Sequence, residues 1–242
     1  MGVKEVNHAY VFPAQGFLGF QLCTAMLEEG WEVTALDSGR EMGDHWMEIG
    51  RNANLHWTSF GNWDRLVPSG SHVYLPYYDA DDLLTEKEGK TLMEQAGYTI
   101  RVFSHFQDPP SGNPSGADIY VPTLIGLRQP VSYHFARLIK DVRVDEPVQD
   151  DPTGVIYVKD AARKIISCTG EKGELHLKGE AAWADASALL TEATIPQLEA
   201  PKNIRGKEIP VMASKSLENI FDEQLKEAGI KKGKNSFPYS DR

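Results

Sequence analysis

A chain of 242 residues, 41% of them hydrophobic, is long enough to bury one α/β core with a small appended lobe. Its formal net charge of −10 argues against duplex nucleic acid as a partner, and no apolar run approaches the roughly 20 residues that span a bilayer. Two cysteines, each in an apolar stretch, and seven histidines without ligand spacing give neither a disulfide framework nor a metal motif. The chain also enters its first strand almost at once, with no signal-peptide pattern, so a cytoplasmic, metal-free protein is expected.

In chain order, Ala9 to Gly39 read as a strand, a glycine loop, a helix, and a second strand tipped by Asp37. That is the first half of a dinucleotide-binding unit, in which three glycines make the turn, admit a pyrophosphate and let the helix pack on the strand. Gly16 and Gly19 suit the second and third roles, while Pro13 stands where the first glycine is expected. Proline lacks an N–H and cannot take a positive φ, so that turn must be built differently. The helix beyond still offers free N–H groups to an anion. Pro13, Ala14, Gln15, Gly16, Phe17, Leu18 and Gly19 are therefore the candidate phosphate loop. Asp37, 21 residues after Gly16, is placed to accept ribose hydroxyls and to disfavour a 2′-phosphate. The cofactor this pattern implies is NAD, held weakly. The competing reading is a βαβ unit without a ligand.

Further along, Trp46, Trp57, Phe60 and Trp63 sit among turn formers, with core or interface packing as their expected use and adenine stacking as the alternative. His72 to Tyr78 reads as a strand bent or ended by Pro76, and Thr85 to Ala96 as a helix stopped by Gly97. Tyr98 to Phe106 is strand-like, and the proline- and glycine-rich stretch from Asp108 to Ala117 is a loop, either a lid or a boundary. Gln129 to Lys140 looks helical; Gly154 to Asp160 is a strand entering a helix over Ala161 to Cys168, with Asp160 as its cap. A strand around Leu175 to Leu177, a helix over Trp183 to Ala193 and an amphipathic helix over Leu217 to Ala228 complete the pattern. The basic run Lys231 to Lys234 reads as a solvated tail. The fold expected is a shortened, Rossmann-like doubly wound parallel sheet. Its core occupies residues 1–107, and residues 108–242 add the rest of the core and a small C-terminal α+β lobe.

These pieces, in this order, resemble the extended short-chain dehydrogenase/reductase superfamily, in its NAD-dependent epimerase/dehydratase branch. The resemblance rests on Gly16-Phe17-Leu18-Gly19, on Lys90 and Glu94 followed by Tyr98 to Phe103, and on Val155 to Lys164. It implies a tyrosine general acid/base four residues before a lysine that lowers its pKa and holds the ribose. Here Lys90 is preceded at that spacing by Glu86, and Lys87 by Leu83, so neither register supplies the pair. Tyr77, Tyr78, Glu86 and Lys90 are left as weak catalytic candidates. The resemblance also implies a serine or threonine ending a strand well before the tyrosine, and an arginine before Val155. Thr153 and Gly154 stand in the arginine's place, and a helix and a strand of the usual core look absent. The leading expectation is a nucleotide- or dinucleotide-binding protein without standard catalysis, acting as sensor, regulator or partner protein. Homo-oligomer or protein contacts are open to it. The alternatives are an active oxidoreductase, epimerase or dehydratase with a non-standard acid/base, and a structural subunit with the Trp46 to Trp63 stretch as its interface.

Overall fold

A computed structural model describes residues 7–38, 43–64, 66–79, 86–110, 113, 115–140, 148, 150–191 and 198–230. In the first half the elements run β1 (His8–Val11), α1 (Phe17–Glu28), β2 (Glu32–Asp37), β3 (Leu55–Ser59), β4 (His72–Pro76), α2 (Glu86–Gln95) and β5 (Tyr98–Ser104). The second half adds β6 (Ala117–Val121), β7 (Thr123–Ile125), α3 (His134–Lys140), β8 (Val155–Tyr157), α4 (Val158–Ser167), β9 (Gly173–Lys178), α5 (Trp183–Ala188), β10 (Lys207–Pro210) and α6 (Leu217–Glu227). Eight strands form one parallel sheet in the order β10-β9-β6-β5-β4-β1-β2-β3, and β7 pairs with β8 in a separate parallel pair. The sheet passes residue 108 without a break, because β5 and β6 pair from Ile100–Ala117 to Ser104–Val121.

Burial explains the apolar runs. In β4, β5 and β6 nearly every residue is buried, as a parallel strand covered on both faces requires. On one face α1 packs beside α4, and the cluster there includes Leu18, Leu22, Met26, Ile100, Ile119 and Ile165. The other face is built on Tyr10, Phe12, Phe60, Trp63, Val73, Leu75 and, from α2, Leu92. Trp46 is buried edge-on to Phe20 with ring centroids 5.3 Å apart, so the aromatics after β2 serve mainly as core. Cys23 and Cys168 are free and buried.

Several expected elements shift. The strands β6, β7 and β10 add to those expected. The connection from β5 to β6 spans residues 105–116 and holds no helix among its described residues, although such crossovers are usually helical. The helix expected from Gln129 begins only at His134, after Arg128 takes the left-handed φ of 67°. Asp160 does not cap its helix. α4 starts at Val158, and Asp160, one turn inside, accepts the Ser214 N–H at 2.9 Å. The α6 helix matches, with Ser216 capping its start and Gly229 at φ 73° beyond its end. The Lys231 to Lys234 run lies outside the described residues.

The connection from β5 to β6 is fastened by polar groups. Arg101 grips Asp118 with two bonds of 2.7 and 2.6 Å, and its third donor reaches the Pro110 carbonyl at 2.9 Å. Asn113 donates to the carbonyls of Thr99 and Ala117 and to Asp118. The loop is thereby tied onto the sheet. Both charged groups are almost fully buried, so losing one leaves the other uncompensated. Asp118→Ala is expected to cost about 3–5 kcal/mol in urea unfolding, whereas Arg101→Leu/Asp118→Leu together should recover most of that loss.

Candidate functional site

In an open α/β sheet a ligand sits beyond the carboxyl ends of the strands, where the strand order reverses. Here the reversal falls between β1 and β4, the neighbours on either side of the switch. From β1 comes the loop Phe12 to Gly16; from β4 comes the tight 3-10 turn Tyr77–Asp79. Phe12 N–H donates to the Tyr74 carbonyl at 3.0 Å, and Ala14 N–H to the Leu36 carbonyl at 2.9 Å, so the loop is clasped by both neighbouring strands.

Gly19 is packed closely against the loop before the helix. A Cβ there would stand 2.2 Å from the Pro13 carbonyl oxygen, which is only possible if helix or loop moves. The loop closes onto α1 with Pro13 in the place expected of a glycine, and the Phe12–Pro13 peptide is cis. Gly16 is the helix N-cap at φ −62°, an ordinary conformation, and has no side chain with which to cap. Its need is for space. A Cβ on Gly16 would lie 2.9 Å from Asp79 Oδ2. That same oxygen accepts the Leu18 N–H at 3.0 Å, across 61 residues of sequence. The carboxylate of Asp79 therefore rests at the positive end of α1, where anions are bound in this kind of fold.

Asp37 is buried at the tip of β2 and holds the loop from the other side. Its Oδ2 accepts the Gln15 N–H at 2.9 Å and its Oδ1 the Ser38 N–H at 2.8 Å. The Gln15 side chain in turn accepts the Gly43 N–H at 3.3 Å. Of the seven predicted loop residues, Gln15 and Gly16 are partly exposed; Pro13, Ala14, Phe17, Leu18 and Gly19 are buried.

Of the catalytic candidates, Tyr78 and Lys90 have separate partners. Tyr78 is buried against Tyr133, ring centroids 5.6 Å apart, and its hydroxyl oxygen accepts the Leu124 N–H at 2.9 Å. Burial pushes its pKa well above the ordinary tyrosine value, with Tyr133 adding to the rise. Tyr77 stacks on Phe103 at 5.1 Å, and its hydroxyl lies 2.6 Å from where a Cβ on Gly89 of α2 would stand. Lys90 is exposed and lies 4.0 Å from Glu94, one turn along the helix. Glu86 opens α2, and its side chain lies outside the described residues.

A second polar group, unseen in the sequence, lies past the ends of β5 and β6. The His105 Nδ1 bonds to Asp151, and its Nε2 meets His176 Nδ1 at 2.9 Å. Asp151 also accepts both the N–H (2.9 Å) and the hydroxyl (2.6 Å) of Thr153. The spacings of 46 and 71 residues carry no local signal. Among the described residues no group of three His, Cys, Asp or Glu side chains has the arrangement of a metal site, and no helix is long and apolar enough to cross a membrane. Next to it, Asp150 is buried and accepts the His134 N–H at 2.6 Å and the Trp183 indole N–H at 2.9 Å. Burial nevertheless raises its pKa to about 6.

No protein-family model matches the sequence, and no curated protein matches it. Solved structures match the fold. The chain is similar to the UDP-glucuronic acid 4-epimerase of Bacillus cereus, solved with UDP-glucuronic acid and NAD, at 15% identity and a TM-score of 0.60, covering 92% of this chain and 99% of that one. It is similar to the Bordetella bronchiseptica enzyme WbmH in complex with NAD+, at 13% identity and a TM-score of 0.56, over 92% and 98% of the chains. A UDP-N-acetylglucosamine 4-epimerase of Methanobrevibacter ruminantium, solved with UDP-N-acetylmuramic acid, matches at 14% identity and a TM-score of 0.53, over 93% and 97%. The chain has the Rossmann-like fold of the nucleotide-sugar epimerases, as its sequence resemblance implied.

Two outcomes test the geometry. Gly19→Ala is expected to destabilise by about 1–3 kcal/mol in denaturant unfolding, because its contacts are backbone and cannot swing aside. For Asp150 the folded pKa lies above the ordinary value of 3.8, so its protonated form stabilises the fold. That contribution is present below about pH 4 and is lost as the pH rises to about 6. Asp150→Asn should therefore lose less stability than the parent between those pH values, by roughly 2 kcal/mol in paired unfolding curves.

Proposed function

We propose that this protein binds an adenine dinucleotide, NAD for preference, across the switch point between β1 and β4, and does not run tyrosine–lysine hydride chemistry. It acts on this reading as a sensor, regulator or partner protein. The dinucleotide half is supported by the close-packed Gly16 to Gly19 loop, by an acid at the tip of β2, and by the likeness to structures solved with NAD. Asp37 Oδ1 accepts the Ser38 N–H and, at 3.5 Å, its hydroxyl, whereas Oδ2 accepts the Gln15 N–H and has capacity for a second donor. The adenosine ribose would sit there, and the pyrophosphate over Gly16.

A single observation carries the non-catalytic half. Tyr78 is buried with its pKa driven upward and its hydroxyl on the Leu124 amide, while Lys90 is in solvent beside Glu94. A general acid/base works best with a pKa near the operating pH, and a lysine must approach the phenol to bring it there. Tyr78 does not meet the first condition, and the partner of Lys90 among the described residues is Glu94. A phenol buried like Tyr78 holds its proton through any physiological pH.

The reading is tested by melting the protein with NAD and with UDP-sugars. At ten times its Kd, NAD should add about 1.4 kcal/mol and raise the Tm by roughly 3–6 °C. No NADH absorbance should develop when a UDP-sugar follows. Absence of any shift with NAD or ADP-ribose would remove the ligand half; bound NADH appearing on addition of a sugar nucleotide would remove the other.

A further inference from the structure

The N-terminus of α1 is already served by an anion that belongs to the protein. Gly16 brings no side chain to the cap position, and the Leu18 N–H is taken instead by Asp79 from the far side of the switch point. The room that the glycine leaves is filled by that carboxylate, whose three terminal atoms lie 2.9, 3.2 and 3.3 Å from the place a Cβ would occupy. In this type of loop the missing side chain is what lets a pyrophosphate approach. Here a carboxylate makes the approach.

Resting on the dinucleotide reading above, we propose that Asp79 is a built-in competitor for the ligand's phosphates and sets the affinity of the site for them. A pyrophosphate oxygen seeking the Leu18 N–H must displace Asp79, and the released carboxylate would then face the phosphate at close range. Like charges only a few ångströms apart repel strongly in a partly desolvated cleft. Asp37 adds a second carboxylate on the same loop, at the Gln15 N–H, so an incoming anion meets negative charge on both sides. The nucleoside end of the ligand is free of this conflict. Ligands lacking the pyrophosphate are therefore spared the competition, and the full dinucleotide bears it.

The test uses the whole chain, with NAD and adenosine as probes, in calorimetric titrations of the parent, Asp79→Asn and Asp79→Ala. The asparagine variant keeps the size and an acceptor for the Leu18 N–H while removing the charge; the alanine variant also removes the acceptor. Cooperative melting of each variant establishes that α1 is still folded. Both variants are expected to bind NAD at least about tenfold more tightly than the parent, within the range of common coupling effects, with adenosine affinity unchanged. If NAD binds the parent and the variants equally, or the variants less tightly, the role of Asp79 is overturned while the dinucleotide reading stands. If neither probe binds the parent or either variant, both are overturned. A tightening shared equally by adenosine also overturns the proposal, since it would trace to the nucleoside end.

Discussion

The backbone amides at the start of α1 have no partners within the helix, and in a packed fold such groups must be satisfied. Asp79 does this for the Leu18 N–H, and a second carboxylate, Asp37, takes the Gln15 N–H just before the helix. Asp37 holds the loop to the end of β2, and Asp79 holds the first turn to the end of β4. Because β1 lies between those strands, the pair fixes the central strand, its loop and its helix as one piece. Gly19 then lets the helix press on the Pro13 carbonyl. The switch point is thus a clamped structure before any ligand enters it, and its chemistry follows from which anion the helix end prefers.

Much of the fold was legible because a buried parallel strand leaves a continuous apolar run and an adjacent helix leaves its period. β1, α1, β2, β4 and β5 could be read in that way, as could α6 with its cap at Ser216 and its stop at Gly229. β6 escaped notice. Its five residues carry Asp118 and Tyr120 on one face, and they follow a proline-rich loop whose composition dominates the local signal. β10 is a four-residue edge strand with lysine, glutamate and proline, which has no apolar pattern to find. The start of α4 was misplaced because Asp160 suits a cap position in sequence, yet its carboxylate is drawn one turn into the helix by the Ser214 amide. A contact from 54 residues away overrides the local preference.

The candidate site divides along the same line. Gly16, Gly19 and Asp37 could be picked out because one βαβ unit contains them all. The lack of a tyrosine four residues before Lys90 or Lys87 was equally readable, being a matter of spacing. Asp79 and the group of His105, Asp151 and His176 were not, since each is assembled by strand order from separate stretches of chain. The histidines seemed unremarkable when taken along the sequence. Only the pairing of β6 with β9 sets His176 beside Tyr120 and within reach of His105.

The polar fastening between β5 and β6 has a bearing on what this face of the sheet can accept. A bare sheet face awaiting a helix, from this chain or from a second copy, would be apolar. This one presents Arg101, Asp118 and His176, with Arg101 and Asp118 locked together and roofed by Pro110 and Asn113. A helix inserted between those strands would have to bury the ion pair without its roof, at a cost of several kcal/mol. The short crossover is therefore self-sealing. A helix in place of this loop would require the face of the sheet to become apolar as well.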